Sequence, residues 1–180
     1  MLRKCTSFRE INGEKLLEIY SESNRAEGAD DFREETPERQ KMLAEERFCD
    51  YLRQDFFSVR GAAYYIWEEN GVYTSALRTE PYQDGLLIAG LETRPDYRKS
   101  GFATRLLEAA LDDLSGQGNK IFYSHIRKDN ASSRRIHQKI GFTRLLDYGA
   151  LIDGTVDRRY DTFVLRGKEL KKYVDKSDRM

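Results

Sequence analysis

The chain has few residues of the kinds that define several protein classes. It contains two cysteines and three prolines in 180 residues. Cys5 and Cys49 are too few for a disulfide scaffold, and neither has metal-ligand neighbours at zinc-like spacing. No apolar run reaches the length of about 18 residues that a membrane span needs, and Met1 to Glu10 has no apolar signal core. These absences predict a reduced, cytoplasmic protein with no metal site and no membrane partner.

The chain also lacks an excess of positive or negative charge. Lys plus Arg number 31 and Asp plus Glu number 31, so the formal net charge is zero and no overall field favours nucleic acid. A hydrophobic share of 39% is enough for a packed core. A chain of this length suits one domain that buries roughly 70% of its unfolded surface. We expect a single domain over residues 1–166 and a charged tail, without an assigned function, over residues 167–180.

Short apolar runs alternate with amphipathic segments along the chain. Aromatic and β-branched residues on both sides of Asn70-Gly71 predict a tight hairpin. Helix N-caps are predicted at Asn12, Thr36 and Asn130, and another helix from Gly101, while the first helix fades near Asn24. The predicted strands are 2–6, 62–67, 72–77, 86–93, 121–126, 142–152 and 156–165, the last two flanking a turn at Asp153-Gly154. This order predicts a mixed α/β sheet with helices on its faces.

The segment Arg94 to Thr104 joins a buried strand to a helix and carries small residues at positions 100, 101 and 103. Successive backbone N–H groups at a helix start can bind phosphate oxygens, and small residues let a pyrophosphate approach closely. Arg98, Lys99 and Arg105 add positive charge. The segment lacks the nucleotide P-loop and dinucleotide-binding patterns. Either it is an ordinary strand-to-helix loop, or it binds another phosphate-bearing ligand.

The segment Arg98 to Ala103, together with a second motif further along the chain, resembles the GCN5-related N-acetyltransferase (GNAT) superfamily. The family's phosphate-binding motif is Gln or Arg, two residues, Gly, one residue, Gly or Ala, and Arg98, Gly101 and Ala103 fill it. A second family motif lies about thirty residues downstream. Its positions are filled by Asn130, Ser133, Ile136, His137 and Gly141-Phe142. The resemblance covers roughly residues 1–166 and implies a mixed, mostly antiparallel twisted sheet of about seven strands with helices on both faces.

The resemblance also implies acetyl-CoA as the acetyl donor, bound in a V-shaped opening between the strands that end at Thr93 and Ile126. The pantetheine arm would lie along the backbone of one strand, the pyrophosphate at the following loop, and further contacts would come from the second motif. The residues implied are Leu91, Glu92 and Thr93 for pantetheine, Arg98, Lys99, Ser100, Gly101, Phe102, Ala103 and Thr104 for pyrophosphate, and Asn130 and Ser133 from the far side.

Both histidines of the chain fall at reactive positions of the family. His125 lies five residues before Asn130, where several members have a general base, and His137 stands where the family usually has a tyrosine that protonates the thiolate. A structural role stays open for each, and solvent could protonate the thiolate. Glu92 is a rival base, but strand alternation matches the family's other base position to Leu87 or Ala89 unless a bulge intervenes.

The acceptor is an amine that the sequence does not identify. Acidic residues between the first two helices could attract a cationic amine, or could form a solvated loop; they are Asp30, Asp31, Glu34 and Glu35. Three functions are compatible with the motifs: a small-molecule primary-amine acetyltransferase, a protein or peptide N-acetyltransferase, and a non-catalytic acyl-CoA sensor. A homodimer is possible, since dimers are common in the family.

Overall fold

The computed structural model describes residues 1–167, so the predicted charged tail from residue 168 onward lies outside the described residues. The helices are α1 Gly13–Ile19, α2 Ser21–Asp31, α3 Pro37–Gln54, α4 Phe102–Gly116 and α5 Ala131–Ile140. The strands are β1 Leu2–Cys5, β2 Ala63–Glu69, β3 Val72–Tyr82, β4 Gly85–Thr93, β5 Ile121–Arg127, β6 Thr143–Leu146, β7 Gly149–Ala150, β8 Val156–Asp157 and β9 Tyr160–Arg166.

Seven of these strands form one mixed sheet in the order β1-β2-β3-β4-β5-β9-β6. The pairs β1/β2, β5/β9 and β6/β9 are antiparallel, whereas β4 and β5 run parallel. The parallel pairing joins Leu86 to Phe122 and Leu87 to Tyr123. The prediction of a mixed seven-stranded sheet with helices is therefore confirmed.

The predicted caps begin three of the helices. The side chains of Asn12, Thr36 and Asn130 accept backbone N–H groups three residues ahead, at 3.0, 3.4 and 2.9 Å. Each bond satisfies one of the N–H groups that a helix start leaves without an intrahelical acceptor. Within residues 1–167 no helix combines the length and the apolar character that crossing a membrane requires.

Two details of the predicted elements are wrong. The first helix does not fade near Asn24: α1 ends at Ile19 and α2 continues to Asp31, with the break at Tyr20, whose φ is −92° and ψ 13°. Asp30 and Asp31 therefore lie in the last turn of α2, and Glu34 and Glu35 lie in the loop that follows it. The Tyr20 carbonyl still accepts the Asn24 N–H at 2.8 Å, so the chain turns without losing that backbone bond.

The second predicted hairpin is interrupted. β6 pairs with β9 as expected, but the pairing shifts register between Arg144 and Leu146. The residues around Asp153-Gly154 form only the short β7 and β8 pair. A shift of one residue turns the following side chains to the opposite face, so a long continuous ladder cannot form across it.

The chain divides into two compact units, and each has its own buried cluster. One unit comprises Met1–Arg78 and Gly90–Leu106, and the other comprises Thr79–Ala89 and the described residues 107–167. The core of the first unit includes Leu16, Ile19, Leu52, Phe56 and Tyr64. A cluster of the second contains Tyr82, Leu87, Tyr123 and Val164. The single domain over residues 1–166 stays a prediction.

Candidate active site

The loop between β4 and α4 has the backbone of an anion-binding turn. After a short 3-10 turn at Pro95–Tyr97, Lys99 and Gly101 take positive φ values of 64° and 81°. A side-chain carbon placed on Gly101 would meet nothing within 4 Å, so the loop faces open space there. The first N–H groups of α4 have no intrahelical acceptors, and the helix dipole makes this end positive.

Positive charge stands beside this loop. The Arg98 guanidinium donates to the Thr93 carbonyl at 3.2 Å and forms an ion pair with Glu22 of α2 at 2.7 Å. Lys99 is exposed and forms no ion pair with any described residue. Arg105 lies over the Phe102 ring at 5.5 Å. The structure thus brings Thr93 and the motif residue Arg98 together, with Ser100 exposed and Ala103 and Thr104 partly buried in the first turn of α4.

β4 is irregular just before the residues predicted to bind pantetheine. Gly90 has φ +61°, outside the extended range, and its carbonyl accepts the Tyr20 hydroxyl at 2.7 Å. A residue of this kind interrupts the alternation of side chains along a strand. Strand alternation therefore does not exclude Glu92 from the reactive face, because the alternation is broken at Gly90.

Glu92 is largely shielded from solvent, and burial raises the pKa of its carboxyl to about 7. A hydrogen bond with Ser23 and the charge of Arg98 act in the opposite direction, while Glu27 and Glu22 add to the rise in this pKa. Among the described residues, none forms an ion pair with Glu92. A carboxyl group in this state changes protonation near neutral pH.

His125 occupies the middle of β5 in the second unit, opposite Thr162 of β9. Its ring meets the Tyr82 ring edge to face, with centroids 5.4 Å apart. Its buried Nε2 has no hydrogen-bond partner among residues 1–167, and burial lowers the pKa of the imidazole below 6.5. At neutral pH the ring is uncharged and has a nitrogen available to accept a proton.

The residues of the second motif form one connected local structure. Asn130 accepts the Ser133 N–H, and the Ser133 carbonyl lies 2.8 Å from His137 Nδ1. Since a carbonyl can only accept, Nδ1 carries the proton and Nε2 has a lone pair. Burial lowers the pKa of His137 to about 4, and its ring packs on Phe142 with centroids 5.0 Å apart. His137 is therefore neutral, and its one N–H is already engaged.

Several residues of the site carry no motif signal. Sequence reasoning missed Tyr20 and Ser23, and it gave Tyr82 only as one of several aromatic residues that could stack on a substrate or build the core. Gly90 did offer a signal, because a glycine inside a strand pattern often marks a bulge or a close backbone approach. The predicted pantetheine and pyrophosphate residues belong to one compact unit, and the residues from His125 to His137 belong to the other.

Comparison with known proteins identifies a family for the chain. A family profile described as Acetyltransferase (GNAT) family matches residues 15–142. The [ribosomal protein bS18]-alanine N-acetyltransferase of Escherichia coli K12 is 25% identical over 112 residues, which cover 59% of this chain and 76% of that protein.

Two solved structures show the same fold at low sequence identity. The PaiA N-acetyltransferase of Thermoplasma acidophilum, in complex with coenzyme A, is 12% identical and has a TM-score of 0.63 over 92% of this chain and 99% of that one. The ribosomal-protein-alanine N-acetyltransferase of Brucella melitensis is 18% identical, with a TM-score of 0.58 over 92% and 97% of the two chains. The family profile covers most of the chain, and the chain therefore belongs to the acetyltransferase (GNAT) family and is an acetyl-CoA-dependent N-acetyltransferase.

Proposed function

We propose that the chain acetylates a primary amine by direct transfer from acetyl-CoA, with His125 as the general base. The observation that carries this proposal is the state of His125: a half-buried neutral ring whose Nε2 has no partner among the described residues. A buried polar atom without a partner costs free energy, so its retention favours a ligand-directed role. The acceptor's reacting nitrogen is the partner that the proposed chemistry requires.

The residues of the first unit fit the phosphate-bearing donor. The open space at Gly101 and the N–H groups of Lys99 to Thr104 suit a pyrophosphate, and Arg98 supplies positive charge. Backbone groups of Leu91, Glu92 and Thr93 would bind the pantetheine arm. In the second unit, Asn130 uses its side-chain oxygen to cap α5, which leaves its side-chain NH₂ group for the donor. The bound thioester supplies an activated acetyl group.

The transfer then requires two proton movements, of which the chain's own residues carry out the first. His125 Nε2 accepts the proton of the acceptor nitrogen as the new C–N bond forms and the C–S bond breaks. The departing thiolate needs a proton, and His137 is the donor that the motif predicts. Its N–H is engaged by Ser133 and the ring is neutral, so the geometry favours solvent as the source of that proton.

A protein or peptide amine is the second candidate acceptor. It is favoured by the 25% identity with an enzyme whose name specifies the alanine of a ribosomal protein as its target. A small-molecule primary amine is the first candidate, and we propose the cytoplasm as the location of the enzyme. A sensor that binds acyl-CoA without transfer would need neither histidine.

Thermal unfolding with acetyl-CoA tests donor binding, with ATP and NADH as controls. A ligand at about 100 times its dissociation constant adds about 2.7 kcal/mol of stability, so a shift with acetyl-CoA alone is expected. Release of free thiol from acetyl-CoA is then measured with small amines and with peptides that begin with alanine. Thiol release that needs an amine and is lost in His125→Ala supports the proposal. Donor binding without release for any amine favours the sensor.

A further inference from the structure

The imidazole ring of the proposed base His125 packs against the ring of Tyr82. The two rings are nearly perpendicular, at 86°, with their centroids 5.4 Å apart, which is a favourable arrangement for aromatic groups. His125 Nε2 is buried and has no hydrogen-bond partner within residues 1–167. The torsion that turns an imidazole ring is broad, so without a hydrogen bond at Nε2 the packing around the ring sets the direction of this nitrogen.

Tyr82 is itself fixed by two hydrogen bonds and a second ring. Its hydroxyl donates to the carbonyl oxygen of Ala150 in β7 and accepts a side-chain N–H of Gln83 at 3.0 Å. Its ring meets that of Tyr123 at 71°, with the centroids 5.1 Å apart. Because Tyr82 is only 6% exposed, these contacts leave its ring little freedom to move.

Tyr123 connects this pair of rings to the turn between β3 and β4. It lies two residues before His125 on β5, and side chains two apart on a strand point to the same face of the sheet. Its hydroxyl donates to the carboxylate of Asp84 in that turn. The three rings therefore form a row in which Tyr82 is central and contacts both of the others. Anchors at Asp84 and Ala150 hold this row in place.

The titratable groups of this face and its rim are three phenols and one bound carboxylate: Tyr82, Tyr123, Tyr148 and Asp84. Thr162, opposite His125 on β9, uses its hydroxyl to bind the carbonyl oxygen of Tyr148. Burial raises the pKa of Tyr82 and that of Tyr123, the latter to about 12, so both phenols are neutral at pH 7. No charged group shifts the pKa of His125, which burial alone lowers. The ring of Tyr82 is one source of that burial.

We infer that Tyr82 is a positioning residue for the acetyl transfer, which fixes the direction of the His125 ring and shields one side of it from water. Tyr82 acts through His125 and takes up no proton itself. This inference rests on the proposed function, because it assumes that His125 is the base. A base held in one direction is already aligned when the amine binds, and a misplacement of about 1 Å can cost about 100-fold in rate.

Tyr82→Leu, or Tyr82→Met where leucine destabilises the fold, removes the ring and keeps an apolar side chain at this position. Thiol release from acetyl-CoA is measured with butylamine and with a peptide that begins with alanine. We expect kcat to fall about tenfold or more. Affinity for acetyl-CoA should change less than about twofold, because Tyr82 is not among the residues proposed to bind the donor.

Two further variants control for the loss of packing. Tyr82→Phe keeps the ring and should recover most of the lost kcat. Tyr73→Leu makes the same exchange at another buried tyrosine, which belongs to the core of the first unit, and should leave kcat near native. Equal losses of kcat in Tyr82→Leu and Tyr73→Leu would mean that a general loss of stability is responsible, and would overturn the inference.

A double-mutant cycle tests whether Tyr82 acts through His125. In the His125→Gln background there is no base to position, so Tyr82→Leu should cause no further loss of kcat. A loss of the same size in both backgrounds overturns the inference. Native turnover in Tyr82→Leu also overturns it, and leaves the proposed function intact where His125→Gln is slow. Native turnover in His125→Gln contradicts the proposed base itself, and the positioning role falls with it.

The titration of the imidazole, followed by NMR, needs no acceptor and decides the inference even where neither amine is turned over. The chain has two histidines, so comparison with His125→Gln identifies the signals of His125. In Tyr82→Leu the midpoint should rise toward 6.5, because a smaller side chain leaves the ring more accessible to water and burial is what lowers its pKa. Tyr82→Phe and Tyr73→Leu should keep the native midpoint. An unchanged midpoint in Tyr82→Leu overturns the inference.

Discussion

The hydroxyl of Tyr20 donates a 2.7 Å hydrogen bond to the carbonyl oxygen of Gly90, at the point where β4 leaves the extended conformation. Tyr20 itself accepts a 2.7 Å bond from the Tyr64 hydroxyl. The residue that separates α1 from α2 is therefore bound to the residue that interrupts β4. Since both hydroxyls are buried, neither can exchange its protein partner for water without cost.

Tyr20→Phe should loosen this irregular part of β4. It leaves the Gly90 carbonyl and the Tyr64 hydroxyl without their partner, and the expected loss is about 1–3 kcal/mol of unfolding free energy. KM for acetyl-CoA should rise as well, because the next residues, Leu91 to Thr93, are those proposed to bind pantetheine.

Tyr73→Phe is the matched control for this change. Tyr73 is also buried, but its hydroxyl receives only a long bond of 3.4 Å from the Asn12 N–H. Denaturant unfolding and acetyl-CoA titration of both variants check the prediction. Equal losses of stability and no change in acetyl-CoA affinity for Tyr20→Phe would contradict it.

The sequence predicts those parts of the fold that depend on local chemistry. Capping by Asn12 and Asn130 and the turn at Asn70-Gly71 need only neighbouring residues, and the structure confirms all three. The break at Tyr20 and the register shift after Arg144 depend on partners far along the chain. No local pattern of the sequence contains that information.

The candidate site divides in the same way. The positions of Arg98 and His125 follow from motifs, but the environments that set their chemistry do not. The neutral ring of His125 results from burial beside Tyr82, a residue 43 positions away (125 − 82) in the sequence. The exposed loop at Gly101, by contrast, follows from the small residues themselves, because a positive φ favours glycine.

Gly101→Glu should weaken acetyl-CoA binding strongly. The carboxylate would stand at the start of α4, where the pyrophosphate is proposed to bind, and like charges repel. The positive φ of 81° also strains any residue other than glycine, so the loop itself changes. Affinity should fall by about tenfold or more, the effect of removing one charge-assisted hydrogen bond to a phosphate.

Gly118→Glu is the control for backbone strain. Gly118 follows the other end of α4, has φ +91°, and likewise has no atom within 4 Å of an added side-chain carbon. Calorimetric titration with acetyl-CoA should show an effect for Gly101→Glu and near-native affinity for Gly118→Glu. Native affinity in both variants would refute the proposed phosphate loop.

His125→Gln should slow the chemical step and leave donor binding almost unchanged. Removal of a general base typically costs about 10²–10⁴-fold in rate, and glutamine cannot accept the proton at neutral pH. With the native enzyme, kcat/KM should fall as pH drops below the pKa of His125, which lies under 6.5, because protonation removes the available lone pair. Rates measured between pH 5 and 8 check both statements. If the variant keeps the native rate, or shows the same fall in kcat/KM at low pH, a residue other than His125 is the base.

His137 should make the fold sensitive to acid. In the folded chain burial lowers the pKa of the ring to about 4, whereas an unfolded chain has an ordinary value near 6.5, so the unfolded state takes up the proton first. The contribution of His137 to the free energy of unfolding is complete above about pH 6.5, and a total of about 3 kcal/mol is lost as pH falls toward about 4. His137→Leu removes this titration, so between pH 7 and 4 the unfolding free energy of the native chain should fall by up to about 3 kcal/mol relative to that of the variant. Parallel stability curves would show that the ring is not desolvated.

Turnover by His137→Leu should stay within a few-fold of native if solvent protonates the thiolate. A large loss of turnover in a stable variant would instead identify His137 as the proton donor.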